Sequence, residues 1–334
     1  MRIVEINDIA SVATELGAGL KARGHDVTLI QPRLVGAKLH PALKPVVGPV
    51  RAVEWLSLIR TVRQGNFDLA HIHYAYLGML GALGKFPYIL HCHGSDLRSP
   101  TTVTRPLIYR ALRHADHVFY STPDLAPFVN NVRDDGEFLP NPIDTDEFRP
   151  MASPSDRKDV MICCALTDIK GAPEILEACR QLQRYRPEIR ITAIAGGSYT
   201  DKFSLLPNVT LIHRQFRERL PEIMNRHGVI IGSVELGIAG MAELEAMACG
   251  RPVINWFDFP AAYPDAPPFV QGATGPEIAA AVERLVDDPS QRADLGASGR
   301  DWVIRHHQLD AAAARVEEVS EAILAQARDR ELVS

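Results

Sequence analysis

Three features of the chain predict an α/β protein built from two doubly wound domains. Short apolar runs alternate with amphipathic stretches from the first residue onward, the pattern of parallel strands joined by crossover helices. The 334 residues exceed one ordinary core and suit two domains of about 150 residues each. The alternation breaks once, at the polar segment 148–158 with Pro150 and Pro154, and then restarts, as expected of a linker between two domains.

In the first half, strands are predicted over 2–6, 26–30, 69–73, 88–91, 117–120 and 137–139, with helices near 11–22, 53–62, 77–83 and 104–115. Gly24 closes the first helix, glycine being the usual residue at a helix C-terminus. In the second half, strands are predicted over 160–165, 190–195, 210–212, 229–231 and 252–255. Helices are predicted near 173–185, 220–225, 241–249, 275–286 and 289–307, and a last helical stretch covers 311–327. The expected domains are 1–150 and 151–310, with 311–334 as a closing segment.

Composition narrows the function. The net charge is −5 with both signs interspersed, so no basic stripe is present to track a phosphate backbone, and nucleic acid is not an expected partner. The five cysteines, Cys92, Cys163, Cys164, Cys179 and Cys249, lie in apolar runs without metal-ligand spacing and read as reduced thiols. No window approaches the roughly 20 apolar residues of a membrane span, and no leader pattern opens the chain, so a cytoplasmic location is expected. The lack of a Gly-x-Gly-x-x-Gly turn counts against a dinucleotide cofactor.

The richest stretch runs from Gly232 to Ile254. Gly237 and Gly240 allow close backbone approach to a ligand, and the amides that follow open a helix, which is an anion site. Gly237, Ile238, Ala239, Gly240, Met241 and Ala242 are therefore candidate contacts to an anion, with Glu245 about one turn in, where a hydroxyl can reach it. The run Leu244-Glu245-Ala246-Met247-Ala248-Cys249-Gly250-Arg251-Pro252-Val253-Ile254 closely resembles the second half of a glycosyltransferase signature. That signature, of the retaining GT-B enzymes of family 4, reads Glu-x-Phe-Gly-Leu-x-x-x-Glu-Ala-Met-Ala-Cys-Gly-x-Pro-Val. Its first glutamate falls on Gly237 here. Glu243 and Glu245 stand two positions apart on a helix and so point to different faces; register favours Glu245.

Other segments carry the resemblance further. Lys170-Gly171 matches the family's Lys-Gly, whose lysine holds the diphosphate, although the family's arginine position is Ala165. Gly196-Gly197 stands where the family has Gly-x-Gly, and the loop 213–217 where such enzymes hold the nucleobase. His93-Gly94-Ser95-Asp96 resembles the His-Gly-x-Asp element, whose histidine lines the cleft near the donor sugar; His93 and Glu245 are thus the expected catalytic pair. Pro140-Asn141-Pro142-Ile143-Asp144 resembles the hinge, with Asn141 and Asp144 as turn residues.

Asp8, His73 and Asp96 are assigned to the acceptor side, with Ser11 the preferred cap of the first helix. The alternation of His91 with His93 puts both on one face, yet the resemblance implies chemistry without a metal or other cofactor. The helix at 104–115 carries Arg105, Arg110 and Arg113, read as a solvated face with peripheral lipid contact as the alternative. The resemblance implies two Rossmann-like domains facing a cleft, with a terminal helix crossing back to brace them. It further implies transfer of a sugar from a UDP- or GDP-sugar to a hydroxyl with retention. A catalytically silent nucleotide- or partner-binding protein and a GT-B epimerase or phosphorylase are the rival readings.

Overall fold

A computed structural model describes residues 1–33, 48–151 and 157–333; Pro154 of the proposed linker lies outside them. The chain divides into two compact units, Met1–Pro142 with Leu309–Ser334, and Ile143–Gln308.

The first unit is a parallel sheet of β1 (Arg2–Ile6), β2 (Asp26–Ile30), β3 (Leu69–His73), β4 (Tyr88–Cys92), β5 (His117–Tyr120) and β6 (Glu137–Phe138) in the order β2-β1-β3-β4-β5-β6. Its helices are α1 (Val12–Ala22), α2 (Gly48–Gln64), α3 (Met79–Gly84), α4 (Ser95–Arg98), α5 (Thr104–His114) and α6 (Ala126–Asn130). The order reverses between β1 and β3, so a crevice for ligands is expected at their carboxyl ends. β3 and β4 are buried along their whole length, because helices cover both faces of a parallel sheet.

In the second unit, β7 (Val160–Ile162), β8 (Ile191–Ile194), β9 (Val209–Ile212), β10 (Val229–Ile231), β11 (Val253–Asn255) and β12 (Val270–Gln271) pair in the order β12-β11-β10-β7-β8-β9. They are joined by α7 (Ala172–Tyr185), α8 (Thr200–Phe203), α9 (Leu220–Asn225), α10 (Met241–Ala248), α11 (Gly275–Asp287) and α12 (Pro289–His306). Here the order reverses between β7 and β10, and the loops leaving those two strands are the segments singled out from the sequence.

The last helix, α13 (Leu309–Val333), belongs to the first unit. It lies against α1 where Gly19 permits close approach: a Cβ there would sit 2.8 Å from that of Ala313. Arg23 pairs with Asp310 and Glu317, and Arg315 with Glu137 on β6. In α5, Ile108, Ala111 and Leu112 are buried, whereas Arg105, Arg110 and Arg113 are exposed.

One local expectation is corrected. Ser11 is not the cap of α1: it is left-handed with φ 66° and makes no capping bond. Asp8 supplies the side-chain cap, accepting from the Ala13 amide at 3.1 Å and the Thr14 hydroxyl at 2.6 Å. Among the described residues all five cysteines are free.

Candidate functional site

The second unit brings Lys170 to the start of α10. After β7 a single 3₁₀ turn, Asp168–Lys170, ends at Gly171 in the left-handed conformation with φ 79°. A Cβ on Gly171 would lie 2.3 Å from Val234 Cγ2; glycine is needed both for the φ and for this approach. The Lys170 carbonyl accepts from the Val234 amide at 3.2 Å, so the loops after β7 and β10 are tied in register. The Lys170 ammonium consequently sits 3.9 Å from where a Gly240 Cβ would be. Gly240 is the N-cap of α10, and no side chain caps that terminus. A cation beside an uncapped helix N-terminus at the switch point of a doubly wound sheet is an anion site.

Glu243, in the first turn of α10, faces this loop. One oxygen accepts the Ser233 amide at 2.7 Å, and the other lies 2.5 Å from a Cβ position on Gly240. Glu243 thus pins the glycine loop and flanks the same glycine as Lys170. Glu245 looks elsewhere: it is 4% exposed and accepts from Arg217 Nε at 3.1 Å. Arg217 also pairs with Glu147 at 2.9 Å and lies over the Phe148 ring. Burial, opposed by Arg217 and helped by Glu147 and Glu243, pushes the Glu245 carboxyl up to about 7. Arg217 was not singled out from the sequence as a partner of Glu245. Its only local signal is its place in the loop 213–217, 28 residues before Glu245.

Gly196 and Gly197 brace the site from β8. Gly197 has φ 123°, and a Cβ there would meet the Leu166 carbonyl at 2.3 Å; the Leu166 amide in turn donates to Gly196 O at 2.8 Å. Gly237 has φ 67°, and a Cβ there would stand 3.0 Å from Asp258 Cβ. The glycine that replaces the family's first glutamate is therefore required by its own backbone. Gly237→Glu is expected to destabilise the protein by about 1–3 kcal/mol, the cost of a strained backbone position, and not to raise activity. Denaturant midpoints and initial rates of the two proteins check both statements.

The first unit gathers histidines at its sheet. Register pairs Glu5 with His71 and His73 with His91, and the two-residue period puts Glu5, His71, His73, His91 and His93 on one face. Glu5 accepts from His73 Nε2 at 2.7 Å and from His71 Nδ1 at 3.2 Å, and His73 Nδ1 lies 2.9 Å from His93 Nε2. Burial pushes Glu5 up, but His71 and His73 beside it prevail and hold it at about 2. Burial and neighbouring imidazoles push His73 down, and His91 and His93 well down. His73 is fully buried with both nitrogens engaged, so it does not touch an acceptor, contrary to the expectation. Asp96 is also withdrawn from that role: it is 3% exposed and accepts the amides of Ala75, His93, Gly94 and Leu97, which shapes the loop carrying His93. His93 alone of the four rings is not fully buried.

His71, His73 and His91 each offer a ring nitrogen within 4.8 Å of the others, a spacing that departs from the metal-free expectation. Each nitrogen of His73 already has a partner, Glu5 or His93, so ligation of a metal ion there would cost one of those hydrogen bonds. Beside the histidines, a cavity of about 610 Å³ opens at the carboxyl ends of β1 and β3, lined by Asn7, Arg51, Trp55, Tyr74, Tyr76 and Leu107 among others. Trp55 and Tyr76 stack at 6.2 Å, and Tyr74 meets Tyr76 edge-on.

These features are those of sugar-nucleotide chemistry on two Rossmann-like units. Sucrose-phosphate synthase from Thermosynechococcus elongatus superimposes with a TM-score of 0.75 at 17% identity, over 98% of this chain and all of that one. A trehalose-6-phosphate synthase does so at 0.71 and 13%, over 96% and 99%. Residues 9–147 match the family model described as Glycosyltransferase Family 4, and 173–318 the one described as Glycosyl transferase-like. A GDP-mannose-dependent alpha-(1-6)-phosphatidylinositol monomannoside mannosyltransferase of Mycolicibacterium smegmatis is 25% identical over 91% of this chain and 92% of its own length. The chain belongs to the glycosyltransferases of the GT-B fold. Among the described residues no helix is long and apolar enough to cross a membrane.

Proposed function

We propose that this protein transfers a hexosyl group from a nucleotide-diphosphate sugar to a hydroxyl acceptor with retention, using GDP-mannose as donor. The observation that carries this reading is the Lys170 ammonium beside the uncapped N-terminus of α10. Lys170, the amides of Ile238 to Ala242 and the turns at Gly171, Gly196, Gly197, Gly237 and Gly240 take the diphosphate, stabilising its charge as the glycosidic bond breaks. Glu245 accepts the ribose hydroxyls, and Arg217 substitutes for the cation missing at Ala165. His93 accepts a hydrogen bond from a sugar hydroxyl. With Gly237 in place of a carboxylate, no protein group stands in that position to attack the anomeric carbon. The acceptor proton leaves on the departing phosphate, as the resemblance implies.

GDP-mannose is named because the M. smegmatis relative is GDP-mannose-dependent. For the acceptor, the stacked Trp55 and Tyr76 suit the face of a sugar ring, and Arg51 suits an anionic group. On α2, Val50, Val53 and Leu56 are 51%, 67% and 67% exposed. Together these favour an amphiphilic glycolipid acceptor, met at a membrane surface.

GDP at about a hundredfold its dissociation constant is expected to add about 2.7 kcal/mol of stability, a shift of about 5–10 °C in a domain of this size. UDP and ADP are expected to shift less. GDP-mannose turned over with a glycolipid acceptor, and an α-anomeric product seen by proton NMR, complete the test. A melting temperature indifferent to every nucleotide sinks the donor site; a GDP shift without turnover favours the silent binding protein.

A further inference from the structure

Glu5 lies in the middle of an apolar strand, is fully buried, and has no part in the sugar chemistry derived above. Its carboxylate faces His73, which faces His93. An ionised carboxylate only accepts, so the His73 nitrogen 2.7 Å away, Nε2, carries a proton. In neutral His73 the other nitrogen, Nδ1, is then a lone pair, and the His93 nitrogen 2.9 Å from it, Nε2, must donate. Neutral His93 is left with its lone pair on Nδ1, at the less buried end of the chain. The groups around this chain are His71 on β3, His91 on β4, Asp8 in the loop after β1 and Asp96 on α4. Of the elements packed on it, α1 passes Glu5 at Gly17, 3.9 Å from Glu5 Cγ to a Cβ position, and carries the buried acid Glu15; β5 presents Phe119 at 5.9 Å between ring centres from His91.

We propose that Glu5 and His73 are positioning residues for His93, holding Nε2 as its protonated nitrogen so that Nδ1 accepts a hydrogen bond from a sugar hydroxyl. The assignment deepens the sugar-transfer reading and rests on it for the hydroxyl, while the tautomer stands independently of it. Burial and the neighbouring imidazoles disfavour the protonated form of both rings.

The test uses the full chain labelled with ¹⁵N-histidine and a two-bond proton–nitrogen correlation spectrum, the His93 signals being assigned by their loss in His93→Gln. The expected spectrum has a protonated Nε2 and an unprotonated Nδ1 on His93. A protonated Nδ1 overturns the proposal, and this readout needs no variant of Glu5 to fold. Glu5→Gln offers one acceptor oxygen where two imidazoles need one each, so His93 is expected to populate the other tautomer. With it, kcat should fall tenfold or more while donor KM changes less than about twofold. A Glu5→Gln protein whose tautomer changes while kcat does not overturns the positioning role. Absence of any transfer with the tautomer as stated counts against the proposed function alone.

Discussion

Replacing Lys170 by methionine is expected to lower kcat by about 100- to 1,000-fold, the range for loss of one preorganised donor to a developing anion. The upper end is expected, for a reason specific to this loop. Glu243 flanks the same glycine as Lys170, so on the proposed function removing the ammonium leaves a buried carboxylate as the charged side chain beside the diphosphate. On the same proposal the amides at the start of α10 still face the phosphates, so donor binding weakens less than catalysis does. The fold should survive, because Lys170 joins the structure through its carbonyl to Val234, which methionine retains. Single-turnover cleavage of donor, with melting temperature as control, separates these effects. A folded Lys170→Met protein within threefold of wild-type kcat would remove the diphosphate from this position.

Much of the fold was legible because the alternation of elements is regular over long stretches. Strands β1, β2, β3, β5 and β10 lie where the apolar runs placed them. β7 is shorter than expected, ending at Ile162, because Cys163, Cys164 and Ala165 already turn toward the site although they look strand-like. α2 begins five residues before the expected start, since Gly48 and Pro49 read as breakers although proline is well tolerated in a first helical turn. β12, α4, α6 and α8 were not anticipated. They span two to five residues, too few for any period to register.

The site was legible in its chemistry more than in its assignments. Lys170 and the glycines of Gly237 and Gly240 carry local signals, and the structure gathers Lys170 with Gly240. What the residues could not convey is which face of a strand is closed. His73 ends β3 and Asp96 lies just beyond β4, polar positions that usually signal a binding residue, but both are buried and neighbours take their hydrogen bonds. Glu5 was passed over for the converse reason: in Ile-Val-Glu-Ile it looks like a lapse in an apolar strand. Only the pairing of β1 with β3 shows that it faces two histidines. Arg217 and Glu245 are likewise a tertiary pair with no spacing to betray it.

Glu245 supplies a second large effect, one in which stability and binding move in opposite directions with pH. Its carboxyl is held at about 7 in the folded protein, above the ordinary 4.5, so the folded state retains its proton more tightly than the unfolded chain. The stability contributed is full below about pH 4.5 and is lost as pH rises through 7, a change on the order of 3 kcal/mol. Glu245→Gln keeps the shape and removes the titration, and is expected to melt higher than wild type at pH 8 and to flatten the curve between pH 5 and 8. Nucleotide binding should show the reverse sign. If ribose hydroxyls donate to Glu245, the ionised form binds better, so wild-type affinity for GDP rises between pH 6 and 8 and binding releases protons below pH 7. Calorimetry in buffers of different ionisation enthalpy measures that release directly. The Gln variant should release none through this group and bind about tenfold or more weakly at pH 8, one charge-assisted hydrogen bond being worth about 1.5–3 kcal/mol. GDP affinity that is flat with pH in the wild-type protein, and unchanged in Glu245→Gln, would leave Glu245 as the partner of Arg217 and nothing more.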